Sequence, residues 1–244
     1  MLTDYTLLAS PLPAVSARTR AHLLLLPVLG FSSAFSVALF MGRAAVSHSL
    51  LFFFLNWNLF LAWVPIGIAL FMLWLDGRGN HGLWLQPFLL LAWLLFLPNA
   101  PYLVTDLIHL APRQNIPVWY DAVFLFSYGW NGLLLGFVAL RLVQQLVAKR
   151  FGPLTGWFLV MGATAASSFG VYLGRFLRWN SWDVVAEPTG LLYDIADRLF
   201  NPLDHPQTVA VTVLFAALLT VGYVTTLLLP RAMAAVFAAA EKAK

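Results

Sequence analysis

Apolar positions in this chain do not alternate with polar ones; they run in blocks. Near-continuous apolar stretches cover 23–41, 50–74, 83–97, 118–146, 154–177 and 208–229. A helix needs about 20 such residues to cross the hydrocarbon core of a bilayer, and helices satisfy their own backbone groups there. The pattern therefore predicts an all-α membrane protein with about six transmembrane helices. The third block is short for a crossing unless the residues after it extend it. Residues 1–22 form a polar lead and 230–244 a tail. Neither a repeat nor a low-complexity linker divides the rest, so 1–244 reads as one integral membrane domain.

Composition agrees with the blocks. Hydrophobic residues make up 61% of the 244 and charged residues 10%, against about 25% charged in soluble domains. Mean hydropathy is +0.82. With no cysteine, disulfides, thiolate metal sites and cysteine nucleophiles are excluded. A net charge of +4 calls for no nucleic acid. The ten tryptophans suit aromatic belts at membrane interfaces.

Lys and Arg set the expected orientation. With the N-terminus inside, nine of the 14 fall on the cytoplasmic side, and Arg43, Arg113, Arg175, Arg178 and Arg198 fall outside. The chain is thus expected in the cytoplasmic (inner) membrane, N-in and C-in, with a cytoplasmic lead (1–22) and a cytoplasmic tail (230–244) that is helical near the surface. Seven of the ten acids, Asp106, Asp121, Asp183, Glu187, Asp194, Asp197 and Asp204, then face outward. Acids contribute little to topology, so their gathering on one face is independent information.

The stretch "FLPNAPYLVTDLIHL" (96–110) combines this chemistry with apolar surroundings. Asn99 can cap a new helix, Pro101 is tolerated in a first turn, and Pro112 limits the far end. A short re-entrant or interfacial helix over about 99–111 is expected. Tyr102, Thr105, Asp106 and His109 share one of its faces. Asp106 and His109 can pair locally and fasten the helix, or supply two ligands to a divalent metal. A metal needs more ligands; Asp204 and His205 can supply them or serve as ordinary turn residues, and His205 is the better ligand candidate of the two.

The fourth block opens with Asp121, followed on one face by Tyr128 and Asn131. The arrangement suggests a polar pocket open outward for Asp121 and inter-helix hydrogen bonding for Asn131. Asn56 and Asn58, in the second block, cannot share a face, so at least one should meet a neighbouring helix. In "GATAASSFGVYLGRFLRWNSWD" (162–183), Gly162, Ala166, Gly170 and Gly174 form a small-residue face for close helix approach. Ser168, Tyr172, Arg175 and Trp179 form another. Arg175 and Arg178 can snorkel, pair with loop acids, or clamp an anionic lipid head group. Beyond Asp183, residues 190–200 read as an amphipathic outer-loop helix, ended by Asn201-Pro202 and His205-Pro206.

"PNAPYLVTDLIHL" and "GVYLGRFLRWNSWD" together resemble the bacterial and archaeal membrane family known as domain of unknown function 1361. That resemblance implies a polytopic membrane protein and carries no activity. From the residues, one expectation is an enzyme at the outer face. Asp106, His109, Asp121 and Asp183 would be its catalytic groups, Asp106, His109 and His205 its metal ligands. Tyr102, Tyr172, Arg175 and Arg178 would hold an anionic lipid or isoprenoid-phosphate substrate. The alternatives are a transporter or lipid-translocating protein, and a non-catalytic accessory protein binding lipid or a partner. "HExxH", "GxSxG" and Walker patterns are absent, which removes the common hydrolase and phosphate-loop signatures.

Overall fold

The computed structural model describes residues 17–78, 84–113 and 115–242; most of the polar lead, Asp4, His81 and Lys244 lie outside them. Among the described residues, six stretches are long and apolar enough to cross a membrane: Leu25–Ser47, Phe54–Gly77, Gln86–His109, Val118–Phe151, Pro153–Phe176 and Pro206–Glu241. They belong to α1 (Ala17–Ser47), α2 (Phe54–Gly77), α3 (Gln86–Phe96) running into α4 (Asn99–Thr105) and a 3-10 turn (Asp106–His109), α5 (Val118–Phe151), α6 (Pro153–Phe176) and α9 (Pro206–Lys242). Between α6 and α9 lie the short α7 (Asp183–Ala186) and α8 (Pro188–Phe200), the latter matching the expected amphipathic helix. This is an all-α, multi-pass membrane protein.

α5 is the axis of the bundle, packed against α1, α2, α4 and α6, while α9 leans mainly on α6. The connections from α1 to α2, from the third crossing to α5, and from α6 to α9 share one end, the last of them spanning 177–205. At the opposite end Gly152, at φ 92°, makes the one-residue turn between α5 and α6, a conformation that L side chains disfavour. There Asp76 accepts from Lys149 at 2.7 Å and from Arg150 Nε at 3.1 Å, tying α2 to the end of α5. The tail, expected to be helical, continues α9 through Pro230 to Lys242.

The third crossing shows how the loop-rich end is built. Pro101 has no N–H to offer the Leu97 carbonyl, so the Ala100 N–H takes that oxygen at 3.1 Å. Ala100 thereby abandons Phe96, whose carbonyl accepts from Asn99 Nδ2 at 2.9 Å. Pro98 precedes α4 in helical conformation, and Ser181 Oγ reaches the Leu95 carbonyl at 3.4 Å. The break is thus stitched rather than opened, and the apolar run continues through it to His109. Asn99 serves here as a carbonyl partner within the break, not as the side-chain cap expected of it. Residues 99–109, expected as a separate short helix, extend the short third block to the length of a full crossing.

Small residues let this broken segment sink between its neighbours. A Cβ on Gly132 of α5 would meet the Ala100 carbonyl oxygen, and one on Gly170 of α6 would lie 2.6 Å from Pro98 Cγ. Gly174 faces Tyr102 in the same way at 3.1 Å, whereas Gly162 faces open space. Half of the α6 small-residue face is therefore an interface with the proline break.

Candidate functional site at the loop-rich end

Asp106 is completely buried at the point where α4 tightens into its 3-10 turn. Its carboxylate pairs with the Arg175 guanidinium and accepts from Asn58 Nδ2 at 3.4 Å. Arg175 Nε donates to Thr105 Oγ1 at 2.8 Å, and its charged carbon lies 4.3 Å from the Tyr102 ring centroid. Nη1 of the same guanidinium is 3.4 Å from His109 Nε2. The stripe Tyr102, Thr105, Asp106, His109 does share one face, and what it faces is Arg175.

A second buried ion pair lies beside it. Arg43 of α1 donates to Asp121 through Nε at 2.7 Å and Nη2 at 3.3 Å, and both side chains are almost inaccessible. Arg113 adds a longer contact of 3.5 Å. The two guanidiniums both sit over the Phe52 ring, 4.4 and 4.9 Å from its centroid, where its π face attracts cations. Phe52 and Phe54 in turn meet the His109 ring edge-on, at 6.5 and 5.4 Å. Deeper along α5, Tyr128 donates to Asn56 at 2.8 Å, and Asn131 Nδ2 donates to Ser36 Oγ at 2.7 Å and to the Ser32 carbonyl at 3.0 Å. These contacts are helix-to-helix bonds, as expected for Asn131.

Several expectations are corrected here. Asp121, Tyr128 and Asn131 line no outward pocket, because each is buried and engaged with a neighbouring helix. His205 pairs with Asp197 at 2.7 Å and does not join Asp106 and His109. Among the described residues no group of three or more His, Asp or Glu is placed to hold a metal ion. Asp183 Oδ2 accepts the Asn180 backbone N–H at 2.6 Å, which fixes a loop turn. Arg178 lies exposed at φ 65° where α6 ends, while Arg175 turns inward, so the two arginines form no clamp. Tyr172 is buried in a small apolar cluster with Leu173 and Leu191.

What the sequence did not disclose is a groove of about 400 Å³ between α2, α3, α4 and α6, roofed by the 177–205 segment. Its lips include the exposed Trp57 of α2 and Leu91 of α3, and its apolar walls include Phe169 and Leu173 of α6. Asn58, Asn99, Tyr102, Asn180 and Ser181 supply its polar part. Asn58 and Tyr102 belong to both the groove wall and the Asp106–Arg175 cluster, so the ion pair backs the groove from behind. Asn99 Nδ2 donates to Ser181 Oγ at 3.0 Å, and Trp179 Nε1 donates to Asp194 at 2.7 Å, fastening the roof to the break and to α8. The missed signal was the pairing of a proline break with a Gly170/Gly174 face: a tight contact on one side leaves space on the other.

A family model described as Protein of unknown function (DUF1361) matches residues 57–221. That span contains the proline break, α5, α6 and the roof. No curated protein and no solved structure matches the chain.

Proposed function

The chain belongs to the DUF1361 family, and since that description carries no activity, we propose a function from the groove: this membrane protein binds a lipid-like amphiphile from the side. The observation that carries the reading is a half-open cavity of about 400 Å³ lined by three crossings, with apolar lips and a polar patch at the loop-rich end. Its size lies within the roughly 300–1,000 Å³ of small-molecule sites. Trp57 and Leu91 are about half or more exposed on helices long enough to span, so the mouth would face acyl chains. In this reading the loop-rich end faces away from the cytoplasm, as the Lys and Arg distribution favours, and the ion pairs are scaffold. The carboxylates of Asp106 and Asp121 are held by arginines, which disfavours their use as bases or metal ligands and favours binding over catalysis.

The test is photolabelling in nanodiscs with a phosphatidylethanolamine carrying a diazirine on its acyl chain. Label should map to peptides of α3 and α6 around Leu91 and Phe169. Ala166→Trp, which fills the groove from an exposed position, should remove it while the protein stays folded. Equal labelling of parent and variant, or label confined to α9, would refute the reading.

A further inference from the structure

Arg43 and Arg175, at the loop-rich end, each hold a buried aspartate. Arg141 of α5, toward the Gly152 end, does not: among the described residues it forms no salt bridge. Asp76, the acid where α2 ends, is already held by Lys149 and Arg150. Arg141 stands eight positions before Lys149, about 12 Å further into the crossing along the helix axis. Leu140, Leu142 and Val143 are buried around it. A cation within the membrane is costly unless something pairs with it, and arginine cannot shed its proton.

The partners the protein offers it are neutral. Arg141 Nη1 donates to Gln144 Oε1 at 2.9 Å, and the same oxygen accepts from the Tyr223 hydroxyl of α9 at 2.5 Å. Gln144 and Tyr223 are buried, and the Tyr223 ring lies 6.2 Å from both the Phe137 and the Trp157 rings. The guanidinium is therefore positioned by packed residues of three crossings. Even counting the Tyr223 oxygen beside it, two neutral acceptors face five N–H donors. The Gln144 amide nitrogen has no described partner either, and neither it nor any guanidinium nitrogen is a fully enclosed, unpartnered atom. Arg141 is half-buried, because α9 leans mainly on α6 and leaves this flank of α5 open. One turn further in, Phe137 packs on Gly222 and, with Leu140 and Leu219, borders a small, largely apolar cleft.

We propose that Arg141, with the Gln144 amide, binds the phosphate of an anionic lipid at the Gly152 end of the bundle. A phosphate supplies the missing negative charge, and its oxygens match the paired N–H groups of a guanidinium, the geometry in which such contacts are strongest. The apolar cleft beyond gives the first carbons of the lipid chains a surface to lie on. This site is at the other end of the bundle from the groove and does not depend on it.

Native mass spectrometry of the delipidated protein in mild detergent tests this, by titration with phosphatidylglycerol, with phosphatidylcholine of identical chains, and with inorganic phosphate. The parent should bind phosphatidylglycerol about tenfold tighter than phosphatidylcholine, the scale of one charge-assisted hydrogen bond. Arg141→Gln should lose about that tenfold. Arg141→Lys, which keeps the charge in place should the glutamine variant fail to fold, should lose about threefold, because a lysine lacks the planar fork. Arg231→Gln, at an exposed position of α9, should change the affinity by less than about twofold. Displacement of the lipid by inorganic phosphate would assign the site to free phosphate, and failure to displace it assigns the site to the lipid. A parent without preference for phosphatidylglycerol would overturn the proposal. So would equal losses in Arg141→Gln and Arg231→Gln, the mark of diffuse surface charge. Undiminished affinity in a folded Arg141→Gln would also overturn it and leave Arg141 a side chain that snorkels to water.

Discussion

Replacing Arg175 with methionine removes the cation from a carboxylate that has no exposed surface. Asp106 would keep only the 3.4 Å bond from Asn58 and a distant His109, 3.9 Å away. Stranding one member of a buried ion pair costs about 3–5 kcal/mol, two to four decades in the unfolding equilibrium at about 1.4 kcal/mol per decade. Thr105 Oγ1 would lose its Arg175 donor but keep its own 2.6 Å bond to the Tyr102 carbonyl, so the local backbone has no separate reason to fail. The double variant Asp106→Leu, Arg175→Met removes both charges and should lie within about 1 kcal/mol of the parent, since apolar replacement of a buried pair is often neutral or better. Unfolding in mixed micelles by titration with dodecyl sulfate, followed by tryptophan fluorescence, measures all four corners of the cycle. Single variants within about 1 kcal/mol of the parent would refute the reasoning. So would a double variant as unstable as the worse single one.

Other expectations follow from the same geometry. Arg43→Ala strands the buried Asp121 and should destabilise by about 3–5 kcal/mol, whereas Arg113→Ala, whose contact is longer and partly exposed, should cost about 1 kcal/mol or less; thermal unfolding in detergent compares them. Gly132→Ala places a methyl against the Ala100 carbonyl oxygen and should cost about 1–3 kcal/mol, while Gly162→Ala, facing open space, should be neutral or stabilising by up to about 1 kcal/mol. Bonds from Asn201 and His205, with the His205 and Arg198 charges behind them, hold the Asp197 carboxyl below its usual 3.8. Because the folded value is the lower one, the stabilisation is fully present above the unfolded value near 4 and is lost as pH falls through the folded value. Carbon-13 NMR of labelled aspartate, assigned with Asp197→Asn, should show a midpoint below 3.8; a midpoint at or above it would contradict the contact.

The crossings were legible because a bilayer leaves helix as the way to satisfy backbone groups, and apolar runs of the needed length announce themselves. The third is longer than its unbroken apolar block. Pro98 and Pro101 mark a break, but whether a break ends a crossing depends on who accepts and donates around it, and Ser181 comes from 82 residues beyond Asn99. The stripe from Tyr102 to His109 was visible from helical spacing, and Arg175 was visible as an arginine in an unfavoured place. Periodicity assigns faces, however, and says nothing of which face meets which, so from sequence alone a metal site and an anion clamp stand beside simple ion pairing. Arg43 counted only as a topology charge until the fold set it against Asp121. His205 is a conceivable ligand for a distant cluster by residue type alone, whereas its partner Asp197 stands eight residues upstream in α8. The groove had no sequence signature of its own, because it is the space left where the glycine face of α6 receives Pro98 and Tyr102.

Lateral lipid binding would be visible in an experimental structure of the protein in lipid nanodiscs, enlarged with a bound antibody fragment. A continuous rod of density should enter between Trp57 and Leu91, pass Phe169 and end beside Asn58, Asn99 and Asn180. A groove closed by inward rotation of Trp57 or Leu91, with no chain density in it, would contradict lateral lipid binding.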